Sequence, residues 1–455
     1  MKKILSSKLF RFIWSAGLAA LFYFLCPPCF SKIILSVLLI IQLFLINASG
    51  YIGKITLLTH ISRILVGALF IFSGFIKAND PLGFSYKLKE YFEVFQADTG
   101  IDFFKIFAYI ATFEHLPEFI LICCKNPALP LAIIICASEI ILGIMLLIGF
   151  KRDLTLWLLF TQIAFFTFLT FYSACYNKVT HCGCFGDFLK LKPWESFWKD
   201  IALLVLITLL FSGKENIKET FAPMPSGALF TLAVILALWF PIYAYQNLPP
   251  LDFRAYAPGM NIKENMKAGL DYQPAIYESG FVYENLKTGE KKEFTMKNFP
   301  WQDTLNWKWS ATATILIKDA INPPKITDFK VSSLDDVNLT DSVLNDKNYS
   351  FWLIAYDLNE TKDDEKLMAQ INDFYTLVAK DHLNFIAFTA SGSKEIDAFK
   401  HKYNALYNFV IVDQTVLKTM IRSNPGLMLI KNGTVVMNWH HNNLPVYSNI
   451  KKMMK

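Results

Sequence analysis

Two cysteine pairs have spacings suited to thiol–disulfide chemistry: Cys26-Pro-Pro-Cys29 and Cys182-Gly-Cys184. The prolines of the first pair cannot continue a helix, so the chain turns there. In the second pair the glycine lets the backbone bend enough to close a very small ring. Such a ring is strained, and strained disulfides are the reducible, exchanging kind. His181 precedes this pair, and a protonated imidazole there favours the thiolate. The competing readings are a helix-end turn with two inert thiols for Cys26 and Cys29, and a rigid structural loop for Cys182 and Cys184. Cys123 and Cys124 are adjacent and read as structural, and Cys136, inside an apolar run, reads as a small buried hydrophobe. By ligand count alone, Cys26, Cys29, His181, Cys182 and Cys184 suit a metal. Nothing in the sequence fixes them together, so no metal site is expected.

The elements that position these residues cross a membrane. Of the 455 residues, 54% are hydrophobic and only 18% charged, with 41 phenylalanines. The apolar residues crowd into the first 247 positions, in runs matching the roughly 20 residues a spanning helix needs. Seven spans are expected, at 9–25, 30–48, 55–76, 128–150, 154–175, 197–212 and 226–247. A cleaved signal peptide is the rival reading for the start, but no small-residue cleavage site follows Leu25 and a second apolar run comes at once. Lys2, Lys3, Lys8 and Arg11 place the N-terminus in the cytoplasm, with Lys54, Lys151–Arg152 and the Lys214–Lys218 loop on the same side. Seven crossings then leave the C-terminal part outside, with every cysteine except Cys136 at or near the outer, oxidising face. Between Lys77 and Pro127 a long loop is expected, its stretch 103–124 interfacial or re-entrant. The net charge of +6 reflects loop lysines and implies no nucleic-acid partner; the partner the composition implies is membrane lipid.

Within the spans, Glu139 falls near mid-bilayer, where a charged side chain costs roughly 2.5–3.5 kcal/mol on insertion scales. It should face the bundle interior, bonded to Gln162 or Ser73. It is either an interhelical hydrogen-bonding group or a contact for a proton or for a quinone cofactor. Arg63 is expected to snorkel toward its end of the helix. Gly67 and Gly74, seven apart, share a helix face that a neighbour can approach closely. Lys77 and Asp80 are expected to pair with each other or with the Cys182 loop.

After Asn247-Leu-Pro-Pro250 the chain turns polar. Phe281–Leu286, Lys287–Glu290 and Lys291–Thr295 read as strand, turn and strand, and Thr314–Lys318 adds another strand. This defines a β-rich module over 248–327. From 328 strands and helices alternate: Ser350–Tyr356 as a buried strand, Asp363–Lys380 as a helix burying Leu367, Ile371, Phe374, Leu377 and Val378, then strand, helix, strand and helix to Arg422. Asn432-Gly433 between two apolar runs is a strong hairpin signal. His440 and His441 read as solvated loop residues.

The segments Ser62–Gly67 and Phe72–Leu82 resemble the opening helix of DoxX-type membrane proteins. His181-Cys-Gly-Cys-Phe-Gly-Asp187 resembles the signature of the related methylamine-utilisation MauE group, and Glu139–Gly143 and Lys192–Trp198 fit the same pattern. The likeness covers roughly 55–212, a four-helix unit, leaving 1–54 as an added hairpin and 226–247 as a last span. Asp328-Phe329, Asp335-Asp336 and the proline at Asn424-Pro425 resemble thioredoxin-like domains of the peroxiredoxin and TlpA kind. Active members carry reactive cysteines after the strand matching Phe351–Tyr356, whereas this chain reads Asp357-Leu-Asn-Glu-Thr361, so 328–455 cannot itself exchange disulfides.

The expected fold is therefore a mainly α membrane bundle plus an α/β thioredoxin-like domain in a bacterial inner membrane. The resemblance implies extracytoplasmic thiol–disulfide electron transfer or maturation of a partner protein. Cys182 and Cys184, with Cys26 and Cys29, would be the exchanging groups, and the surface beside Pro425 would bind an extracytoplasmic thiol protein. The alternative is a non-catalytic membrane scaffold with structural cysteines. A transporter has little support, because no pair of broken helices recurs in related halves.

Overall fold

The computed structural model describes residues 56–99, 127–176, 179, 183 and 185–454, apart from 290, 297, 319 and 363. The first two expected spans and the stretch 103–124 lie outside the described residues. The chain divides into two compact units, Met1–Arg254 and Ala255–Lys455.

In the first unit the described helices are α1 (Thr56–Asn79), α2 (Pro81–Thr99), α3 (Ala128–Ile148), α4 (Arg152–Tyr176), α5 (Pro193–Ser212) and α6 (Pro223–Asn247). Four of them, α1, α3, α4 and α6, are long and apolar enough to cross a membrane. Helix α5, expected as a sixth span, carries Glu195, Lys199 and Asp200 in its first half and is not among those four. Where a long loop was expected after Lys77, residues 81–99 form α2. Its leucine and aromatic side chains, Phe84, Leu88, Tyr91 and Phe95, recur every three or four positions and bury against α3 and α4. That periodicity was present in the sequence, interleaved with lysines and glutamates.

Close packing of α1 on α3 rests on glycine. A Cβ on Gly67 would lie 2.7 Å from the Leu147 side chain, and one on Gly74 would lie 2.8 Å from Glu139 Cβ. The expected shared face of these two glycines is therefore the α3 contact. Helix α3 ends at Gly149, whose φ of 74° suits a residue without a Cβ. Arg63 does not snorkel. It is buried and donates from Nε to Leu146 O (2.9 Å) and from Nη2 to Leu147 O (2.7 Å), so its cation meets the carbonyl end of α3, where the helix dipole favours positive charge.

In the second unit α7 (Ile262–Met266) precedes a three-stranded antiparallel sheet of β1 (Ile276–Asn285), β2 (Lys291–Thr295) and β3 (Trp307–Lys318), in the order β2-β1-β3. The expected strand–turn–strand falls within β1 and β2. After α8 (Thr340–Leu344) come β4 (Tyr349–Ile354), α9 (Glu365–Lys380), β5 (Asn384–Thr389), α10 (Ser393–Tyr403), β6 (Asn408–Ile411), α11 (Gln414–Met420), β7 (Gly426–Lys431), β8 (Thr434–His440) and α12 (Tyr447–Met454).

These strands form one sheet in the order β6-β5-β4-β7-β8. β4, β5 and β6 run parallel, while β7 and β8 return antiparallel. The two parallel connections each need a helix to cross over, which α9 and α10 supply. The β7–β8 turn places Asn432 and Gly433 at φ 48° and 72°, as a tight Asn-Gly hairpin requires.

Because both faces of β4 are covered, Phe351 and Leu353 enter one core with α9 and α12. Trp352 stacks on Phe329 and packs against Phe388 on the other side. Helix α9 buries Leu367, Ile371, Phe374 and Val378, but Leu377 is exposed. At 100° per residue, position 377 lies past the edge of the stripe that 367, 371, 374 and 378 define.

Candidate functional site

The four cysteines expected to exchange, Cys26, Cys29, Cys182 and Cys184, lie outside the described residues. Gly183 between the last two is described. Its φ of +74° is a conformation that favours glycine, and a Cβ there would lie 3.1 Å from Lys87 Cγ. Lys87 projects from α2 and pairs with Glu90 at 2.7 Å. The chain after the motif is pinned to the bundle through aromatic rings. Phe185 and Phe188 both pack on Phe72 of α1, at 5.8 and 5.6 Å between centroids, and Phe188 meets Phe253 at 5.1 Å.

Phe185 also walls a small cavity of about 20 Å³ inside the bundle, shared with Ser73, Lys77, Glu139, Lys199 and Asp200. Two ion pairs face it, one fully buried and one with its lysine part-exposed. Lys77 of α1 reaches Glu139 of α3 at 2.5 Å, with the two side chains 2% and 3% exposed. The ammonium also lies over the Phe166 ring of α4, 4.4 Å from its centroid, which supplements the ion pair with ring-quadrupole attraction. Glu139 Oε2 is buried with no hydrogen-bonding partner among the described residues. In α5, Lys199 Nζ lies 2.8 Å from Asp200 Oδ1, and Thr170 of α4 lies 3.0 Å from Asp200 Oδ2. Charges this deep persist in a bilayer only when paired and turned to the bundle interior.

Lys77 thus pairs with Glu139 across the bundle, a partner the sequence suggested for neither residue. Gln162 donates to Ser138 Oγ, at 3.0 Å. The partner of Glu139 was missed because 62 residues separate the pair. The signal available was charge balance: one cation and one anion in apolar helices each need a partner. A cavity of this size holds about one water.

In the second unit the polar loop after β4 is tied to the segment before β7. Thr361 Oγ1 donates to Asp357 O (2.6 Å). Asn424 Nδ2 donates to the same oxygen (2.9 Å), and Lys362 N donates to Asn424 O (3.0 Å). The Asn424–Pro425 peptide is cis. Ser423 Oγ donates to Pro425 O at 2.5 Å and lies 2.9 Å from His441 Nδ1.

His440 is buried at the end of β8, not the solvated loop residue expected, and its ring lies on that of the half-buried His441 with centroids 3.9 Å apart. Burial, then the neighbouring His441, pushes His440 down to about 3; burial and the Lys362 charge push His441 down to about 4. Both imidazoles are neutral at pH 7. Among the described residues, no three His, Cys, Asp or Glu side chains are grouped to hold a metal ion.

Apolar spanning helices followed by a mixed α/β unit define a multi-pass membrane protein. Within it, the profile of a family described as Methylamine utilisation protein MauE matches residues 103–213, a span that contains Cys182 and Cys184. A second profile, Domain of unknown function (DUF8463), matches residues 277–319, which take in nearly all of the β1–β3 sheet. No curated protein matches the chain. Similar solved structures include a candidate protein disulfide isomerase from Bacteroides thetaiotaomicron, with 16% identity and TM-score 0.24, covering 28% of this chain and 83% of that one. BsSco, a member of the Sco family of cytochrome c oxidase assembly proteins, is similar at 13% identity and TM-score 0.23, covering 28% and 90%. Likenesses at this level carry no functional argument.

Proposed function

We propose that this chain is a bacterial inner-membrane partner in extracytoplasmic thiol–disulfide exchange, with Cys182 and Cys184 as the exchanging pair. One thiolate attacks a sulfur of the partner's disulfide, a mixed disulfide forms, and the second cysteine resolves it. Two electrons pass to the partner, which leaves as a dithiol, and the chain keeps the new disulfide. Cys26 and Cys29 are the proposed second pair that reduces it again, with a quinone-linked donor behind them.

The observation that carries this reading is Gly183. The single residue between the two cysteines adopts a left-handed conformation, and it does so within the segment matched by the MauE profile. The second unit is proposed as a thioredoxin-like docking domain, outside the cytoplasm, that receives a thiol protein beside Pro425. Its strand order supports that reading. So does the hydrogen-bonded closure of 357–362 onto Asn424, which presents a fixed polar surface without sulfur.

Thiol trapping in cells with an alkylating mass tag tests this. The expected result is a mixture of oxidised and reduced Cys182–Cys184, shifted by reductant and lost in Cys182→Ser. A pair that stays wholly oxidised or wholly reduced under every condition refutes the exchange and leaves a structural scaffold.

A further inference from the structure

The β1–β3 sheet has no role in the exchange proposed above. At one end of the sheet, four large apolar side chains stand in the open: Leu286 is 55% exposed, Trp301 62%, Leu305 86% and Trp309 54%. They are brought together by the backbone. Leu286 N donates to Asn306 O at 2.8 Å, which sets the end of β1 beside the 301–306 loop. The register Asn285↔Trp307 and Tyr283↔Trp309 places the start of β3 alongside.

The sheet supports this tip from one face. Tyr283 of β1 packs with Phe294 of β2, and Phe299 meets both Phe281 and Tyr283. The tip is thus a firm aromatic platform, held by a ladder of strands. Lys287 and Lys308 are exposed on the same end.

Four exposed large apolar groups in one place are a costly feature for a water-facing tip. At about 25 cal/mol per Å² of apolar surface left in water, they favour a partner that covers them. The chain itself supplies one. Residues 248–254 alone connect this unit to α6, an apolar helix of spanning length. That tether reaches at most about 25 Å, so the unit is held permanently within reach of a bilayer surface. Tryptophan with leucine, ringed by lysine, is the composition that settles at the headgroup–acyl boundary. The rings take the apolar side, the indole N–H groups take carbonyl and phosphate oxygens, and the ammoniums take anionic headgroups.

We infer that the tip formed by Leu286, Trp301, Leu305 and Trp309, with Lys287 and Lys308, is a lipid-contacting surface that seats in the headgroup layer of the membrane this chain spans. The contact restrains the α/β unit against the bilayer. It also gives the segment matched as a domain of unknown function a physical role as a membrane-facing foot.

The test uses the full chain in nanodiscs containing anionic lipid, with 5-fluorotryptophan incorporated and the Trp301 and Trp309 signals assigned by Trp301→Phe and Trp309→Phe. Both resonances are expected to lose most of their intensity when a fraction of the lipid carries a nitroxide on its upper acyl chain. A water-soluble gadolinium chelate should leave them largely intact. Trp352, buried in the core of the same unit, is the internal control and should respond to neither agent. Broadening by the chelate and not by the lipid label overturns the inference. Protection from both agents also overturns it, because the tip is then covered by protein, either a second copy or another partner. The readout does not involve cysteine oxidation, so its failure is distinct from failure of the exchange reaction.

Discussion

Replacing Lys77 by Met tests whether the charge pair in the bundle is what the geometry says it is. Methionine keeps most of the length and volume of the side chain and removes the ammonium. Glu139 then keeps its carboxylate 3% exposed, facing a cavity of about 20 Å³, with its cation gone. Breaking a buried pair by removing one partner typically costs about 3–5 kcal/mol, because the remaining charge is left uncompensated. The double variant Lys77→Met, Glu139→Leu removes both charges and should recover most of that loss. This corresponds to a coupling energy of about 3 kcal/mol between the two positions. The Lys77 contact with Phe166 is lost in both variants, so any shortfall in recovery measures that term, expected at about 0.5–2 kcal/mol. Unfolding in bicelles followed by steric trapping gives the free energies directly. A Lys77→Met variant within about 1 kcal/mol of the parent would refute a buried ion pair. A double variant no better than the single would assign the loss to packing instead of the stranded carboxylate.

Gly74→Val should separate α1 from α3 and cost about 1–3 kcal/mol, since its Cβ would fall 2.8 Å from Glu139 Cβ and 2.9 Å from Ile140 Cγ1; the same unfolding assay reads it, and Ser at this position should cost less than Val. Acid should loosen the second unit through His440, whose folded value of about 3 lies below the ordinary 6.5. As pH falls below 6.5 the unfolded chain takes up a proton that the folded one refuses. Stability then drops by about 1.4 kcal/mol per pH unit, reaching about 2 kcal/mol near pH 5. Hydrogen exchange at β7 and β8 in the full chain, corrected for intrinsic rate, should show this loss, and it should be reduced in His440→Gln.

Much of the architecture was legible because it is written in periodicity. Long apolar runs announced α1, α3, α4 and α6, since no soluble fold needs about 20 such residues in succession. The β7–β8 hairpin followed from Asn432-Gly433, whose backbone must go left-handed. Helix α2 was not recognised, because a stripe of Phe84, Leu88, Tyr91 and Phe95 alternates with Lys87, Lys89, Glu90 and Glu93 and shows no continuous apolar run. Asp200 was passed over in a segment read as a span, although a carboxylate there demanded a neighbour.

The amino-acid order alone determined which segments are apolar enough to leave water, where the chain turns, and that no cysteine follows Cys184. These properties belong to single residues and their near neighbours along the chain. Which charge meets which was decided only by the tertiary structure. Lys77 found Glu139 across 62 positions, Arg63 found the last carbonyls of α3, and His440 went into the interior instead of the solvent. In a low-dielectric interior an unpaired charge or polar group is expensive, so packing chooses the partners, and that choice depends on distances through space that spacing along the chain does not encode.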